Sequence, residues 1–300
     1  MSVTLGGRVA VVTGAGRGIG RATAIELARL GAAVVVNDIG TAIDGSGSDA
    51  RPADDVAAEI RAAGGRAAAS HDSVAEFESA GRIIETALES FGGIDILVNN
   101  AGLSAGSPIW EQDPELFARV GASHVGGTFN CTRHAVPHMK QKRWGRIVNL
   151  VSRSGIVGVA GNIAYGTAKG GVFGFTNAAS RDLAPHGITV NAVNPSSTET
   201  RMVMRAVESG RRQGGEAARR AENLLAVLQR PEDVAVVIAY LCSAEAASVT
   251  GQVFLVKRSE IGLFQPLTVT QTTSKEGPWS VDELAEAIPK LDLHPLDTPY

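Results

Sequence analysis

The chain has 300 residues, 44% of them hydrophobic, which is enough for one large core and within the range of a single α/β domain. A formal net charge of -3 shows no basic excess and argues against nucleic acid as a partner. The two cysteines, Cys131 and Cys242, have no CxxC or Cys/His spacing, so neither a disulfide framework nor a zinc site is indicated. The first eight residues lack a charged-then-apolar leader pattern, and the longest apolar stretch, 234–242, falls short of the roughly 20 residues a membrane span needs. The expectation is a soluble protein of a reducing, cytoplasmic setting with no membrane partner.

In chain order, short Val/Ile-rich runs at 8–12, 33–37, 94–99, 146–151, 189–193 and 252–256 read as buried strands. Between them, 20–30, 54–63, 74–91, 114–140, 164–185 and 231–243 carry helical periodicity, several closed by glycine. This alternation implies a doubly wound parallel sheet, a Rossmann fold, with its ligand crevice at the carboxyl ends of the strands. The fold is expected over 1–256 as a single domain. A polar C-terminal extension over 257–300 holds one short helix at 281–288, and the Gly/Ser/Asp-rich stretch after the second strand reads as a surface loop.

The stretch VVTGAGRGIG, residues 11–20, places four glycines directly after the first strand. Gly14 allows a tight turn, Gly18 lets the backbone approach a pyrophosphate, and Gly20 allows close helix-to-strand packing, with free N–H groups of the helix facing the phosphates. Gly14, Arg17, Gly18, Ile19 and Gly20 are therefore candidate cofactor contacts. Asp38 stands 18 residues after Gly20, where a carboxylate accepts bonds from an adenosine ribose and repels a 2'-phosphate. Arg17 acts in the opposite sense, since a basic loop residue can pair with that phosphate. Asp38 outweighs it, and NAD is the expected cofactor.

Tyr165 and Lys169 are four residues apart on one helix and share a face, so the ammonium is expected to lower the phenol's pKa. Ser152, 13 residues before the tyrosine, can hold a substrate oxygen against the phenol, and Ser154 is its nearby competitor. Together TGAGRGIG, NNAG at 99–102, YGTAK at 165–169 and this serine resemble the short-chain dehydrogenase/reductase family from about residue 5 to 256. The resemblance selects Ser152 and implies hydride transfer between a nicotinamide and a secondary alcohol or ketone. It further implies cofactor contacts at Asp72 and Ser73 for the adenine edge, at Asn99 for the adenosine side, at Tyr165 and Lys169, and at Thr200 for the carboxamide.

Two departures stand out. Ser196 replaces a glycine before Thr200, and His124 occupies the slot of the asparagine in the family's catalytic tetrad. His124 is either a packing residue or a proton relay. The VVVNDIG strand end, the Gly/Ser insertion and His124 resemble the (3R)-hydroxyacyl-CoA dehydrogenase module of multifunctional β-oxidation enzymes and its single-domain bacterial relatives. A 3-hydroxyacyl-CoA substrate is thus implied, with hydroxysteroids or other secondary alcohols as the alternative, and a catalytically silent NAD-binding regulator as a different class. Arg201, Arg205, Arg211, Arg212, Arg219 and Arg220 beyond Thr200 either steer CoA phosphates or form a solvated helix face. The helices at 114–140 and 164–185 resemble those that pair family subunits, which implies a homotetramer or homodimer.

Overall fold

The computed structural model describes residues 3–42, 46–103, 106–265 and 267–293. The chain divides into two compact units, residues 1–264 and 265–300. The first holds an eight-stranded sheet in the order β3-β2-β1-β4-β5-β6-β7-β8. Its strands are β1 (Val9–Thr13), β2 (Ala33–Asn37), β3 (Arg66–Ser70), β4 (Ile96–Asn99), β5 (Gly145–Leu150), β6 (Ile188–Pro195), β7 (Val253–Lys257) and β8 (Glu260–Leu263). All pairings are parallel except β7 with β8.

The strands are apolar on both faces because helices cover both. On one face Ala10, Val12, Val34, Val36 and Val98 pack against α1 (Gly18–Arg29), α2 (Arg51–Ala62) and α10 (Pro231–Leu241). On the other, Val9, Val11, Val35, Leu97 and Ile147 meet α3 (Phe77–Phe91) and α5 (Gly127–Lys142). Cys131 and Cys242 are both buried and free. Among the described residues, no helix is long and apolar enough to cross a membrane.

Three features were not expected. β3, with the sequence RAAAS, lacks the β-branched residues that mark a strand and is held by its ladder with β2. The helix expected over 114–140 is α4 (Pro114–Gly121), a wider π turn over Ala122–Gly126, and α5. The first unit also runs past 256, because the chain reverses at Arg258 (φ 54°) and returns as β8, so the extension begins at 265. The remaining helices of the first unit are α6 (Arg153–Ile156), α7 (Ile163–Leu183), α8 (Arg201–Gln213) and α9 (Gly215–Ala226). Within the extension, α11 (Val281–Ala287) starts at a capping box in which Ser280 and Glu283 bond each other's backbone N–H.

At the amino end of the sheet, remote from the strands' carboxyl ends, Asp95 is only 3% exposed. Its Oδ2 accepts from the Val9 N–H at 2.9 Å, and its Oδ1 accepts from Lys142 Nζ at 2.9 Å. Replacing Asp95 with Ala strands a buried N–H and should cost about 2–3 kcal/mol, whereas Asn keeps an acceptor and should cost about 1 kcal/mol. Urea midpoints of the two variants check this; equal losses would show that the acceptor is unimportant.

Candidate active site

The glycine turn after β1 is a close backbone junction. Gly14 (φ +62°) and Gly18 (φ +55°) lie in the left-handed region. A Cβ on Gly20 would stand 2.2 Å from Gly14 O, and one on Gly18 would stand 3.2 Å from Thr200 Cγ2. Gly20 therefore packs against the loop itself rather than only against a strand. Asn100 braces this turn: its Nδ2 donates to Thr13 O at 2.9 Å and to Gly14 O at 3.0 Å. Sequence reading placed the emphasis on Asn99 and missed Asn100, although NNAG carried both.

Asp38 follows β2 beside the loop. Its Oδ2 accepts from the Gly16 N–H at 2.9 Å and its Oδ1 from the Gly40 N–H at 2.7 Å. Gly16 was not singled out in the sequence, yet a Cβ there would meet Asp38 Oδ2 at 2.8 Å. Arg17 flanks the turn, and its Nη1 is buried without a hydrogen-bond partner among the described residues. Burial and the nearby Arg17 push the Arg201 guanidinium down, partly offset by Asp38. Ile19, in the first turn of α1, is half-buried against the core. Paired glycines with φ > 0, a helix N-terminus and an orphaned guanidinium nitrogen fit the phosphates of a dinucleotide.

Of the remaining candidates, Asp72 and Ser73 follow β3. Asp72 Oδ1 accepts from Arg82 Nε at 2.7 Å, and Ser73 Oγ accepts from the Ala75 N–H at 3.2 Å. Asn99 is buried, and its Nδ2 donates to Asn149 Oδ1 at 2.9 Å, leaving only Oδ1 without a partner among the described residues. Thr200 caps α8, its hydroxyl accepting from the Val203 N–H at 3.4 Å.

The chemical groups converge beyond β5. Ser152 caps α6 and accepts from the Ser154 N–H at 3.2 Å. Ser154 is engaged elsewhere, its Oγ accepting from Asn162 Nδ2 at 3.2 Å. Lys169 is 5% exposed, donates from Nζ to Leu150 O at 2.6 Å, and stands 5.7 Å from the Tyr165 ring centroid. His124, on the π turn, meets that ring edge-on at 5.4 Å.

The electrostatics differ from the expected depression of the phenol. Burial pushes Tyr165 above its ordinary value, with the neighbouring Ser152 hydroxyl acting downward. Burial also pushes the Lys169 ammonium down to about 7. His124 is pushed down to about 3 by burial and then by Lys169, which leaves it neutral at ordinary pH.

The profile of the short chain dehydrogenase family matches residues 8–210. The chain is 34% identical over 293 residues to the hydroxyacyl-CoA dehydrogenase ChsB1 of Mycobacterium tuberculosis, covering 95% of this chain and 88% of that protein. It is 38% identical over 240 residues to the peroxisomal multifunctional enzyme type 2 of Drosophila melanogaster, covering 79% of this chain and 36% of that longer enzyme. The crystal structure of a short chain dehydrogenase from Mycobacterium avium superposes with a TM-score of 0.80 at 35% identity, covering 96% of this chain and 95% of that one. The chain belongs to the short-chain dehydrogenase family and is an oxidoreductase that works with a nicotinamide cofactor on a small-molecule substrate.

The depressed Lys169 has a sign-definite consequence. Between pH ~10.5 and ~7 the unfolded lysine takes up a proton that the folded one refuses, so stability falls as pH drops through that window and levels off below it. The stability of the parent relative to Lys169→Met should therefore rise from pH 7 to 10. Denaturation of both proteins across this range checks it, and a constant difference would show that Lys169 keeps an ordinary pKa.

Proposed function

We propose that the chain is an NAD-dependent dehydrogenase that interconverts a 3-hydroxyacyl-CoA, best read as the (3R) form, and its 3-ketoacyl-CoA. The reading is carried by one observation: Lys169 Nζ, buried and held by Leu150 O, stands 5.7 Å from the centroid of the Tyr165 ring, on a chain whose first strand ends in a glycine turn suited to a dinucleotide. The nicotinamide, when bound, takes or gives the hydride. Ser152 holds the substrate oxygen, and Tyr165 Oη, once its own proton has passed to solvent, takes the alcohol proton in oxidation, or as the phenol gives its proton to the ketone oxygen in reduction. Lys169, held by Leu150 O, supports the phenol.

The cofactor preference rests on Asp38. Its carboxylate, fixed by two backbone N–H groups, would set a like charge against a 2'-phosphate. NAD should be preferred over NADP by more than ~10-fold in kcat/KM, the factor that about 1.4 kcal/mol produces. Asp38→Ser should narrow the gap by leaving Arg17 unopposed; equal use of both cofactors by the parent would refute this role.

The substrate class is supported by the relative named a hydroxyacyl-CoA dehydrogenase and by the arginines of α8 and α9. Arg211 and Arg220 are paired with Glu222 and Glu216, and Arg201 donates to Thr41 O. Arg205, Arg212 and Arg219 are exposed and, among the described residues, have no carboxylate within ion-pair distance. These three could steer CoA phosphates. A homotetramer or homodimer is supported by the exposed Phe117 on α4 and Phe129 on α5. For an acyl-CoA, kcat/KM should exceed that of the same acyl group on a short neutral thioester, and the advantage should shrink with salt. Equal rates for both thioesters with faster turnover of a steroid alcohol would favour the alternative.

A further inference from the structure

His124 is 3% exposed and sits on the π turn between α4 and α5. Its Nε2 lies 3.0 Å from Leu103 N and 2.9 Å from Leu103 O, so one ring nitrogen faces both polar groups of a single residue. A neutral imidazole satisfies one of them according to its tautomer. The other face of the arrangement is Gly102, where a Cβ would stand 2.0 Å from His124 Cε1. Gly102 has no positive φ, so the ring, not the backbone conformation, excludes a side chain there. The imidazole is thus wedged between the segment leaving β4 and the ring of Tyr165, 5.4 Å away and nearly perpendicular at 84°.

We propose that His124 is a positioning residue that locks the Gly102–Leu103 segment against Tyr165 through Nε2 and takes no part in moving protons. A relay must take up and release a proton near working pH. This ring is buried beside Lys169 and stays neutral there, with burial the main cause. As a clamp, a neutral hydrogen-bonding group suffices, and its reach matters more than its basicity. The amide of glutamine extends about as far as Nε2, whereas that of asparagine extends only about as far as Nδ1. Nδ1 has no partner among the described residues, so an amide at that depth leaves the Leu103 bond unmade.

The inference rests on the reading of Tyr165 as the proton-transfer group. The test compares H124Q, H124N and H124A by kcat, by NADH affinity and stoichiometry from fluorescence, and by thermal midpoint. H124N and H124A should lose at least ~10-fold in kcat per NADH-binding site with NADH affinity within about twofold, and H124Q should recover most of the loss. A glutamine as poor as alanine would overturn the clamp, since glutamine cannot relay a proton but can bond Leu103. Full activity in H124A would overturn it as well. A measurement independent of turnover is the Gly102 cycle: G102A should lower the thermal midpoint of the parent but leave that of H124A nearly unchanged. Equal losses in both backgrounds would show that the ring does not fill the space. A parent that turns over no hydroxyacyl-CoA would refute the substrate reading, while the stability cycle would still decide the clamp.

Discussion

Two hydrogen bonds from Asn100 Nδ2, to Thr13 O and Gly14 O, tie the end of β4 to the glycine turn after β1. The neighbouring residues extend this junction in both directions. Asn99 reaches across to Asn149 on β5, and Asn149 donates onward to Thr176 on α7. Leu103 meets His124, which stands against Tyr165. Five consecutive residues thus link the glycine turn, two central strands and the helix that carries Tyr165 and Lys169. A parallel sheet makes this possible because its strands deliver their carboxyl ends to the same edge.

The same packing sets the charge state of the site. Burial raises the Tyr165 phenol and lowers both the Lys169 amine and the His124 imidazole, the last also through the Lys169 charge. Each shift favours the uncharged form. Lys169, at about 7, is the group whose protonation responds to small changes near neutrality, while His124 supplies shape and a hydrogen bond without charge.

Much of this was legible in the sequence. Valine-rich strands buried on both faces, helices closed by glycine, and a glycine turn after the first strand give the sheet and its crevice with little ambiguity. β3 escaped because alanine carries no strand signal, and the strand exists through its partner rather than its own preference. The break between α4 and α5 escaped because helical periodicity does not register a wider turn. Tyr165 and Lys169 were found from the YGTAK motif and their four-residue spacing, but spacing reports proximity and not burial, and burial is what raises the phenol here. Among the arginines after Thr200, Arg220 pairs with Glu216 one helical turn away, as linear spacing allows, whereas the Arg211–Glu222 pair joins α8 to α9 and is not readable from spacing.

The central claim is that Tyr165 Oη exchanges the proton while the rest of the junction holds it in place. Single-turnover hydride transfer in Tyr165→Phe, with NADH affinity measured on the same sample, tests it most directly. The account predicts transfer at least ~100-fold slower than in the parent with affinity unchanged within about twofold, the range expected for losing a general acid–base group. Transfer within about threefold of the parent would contradict it.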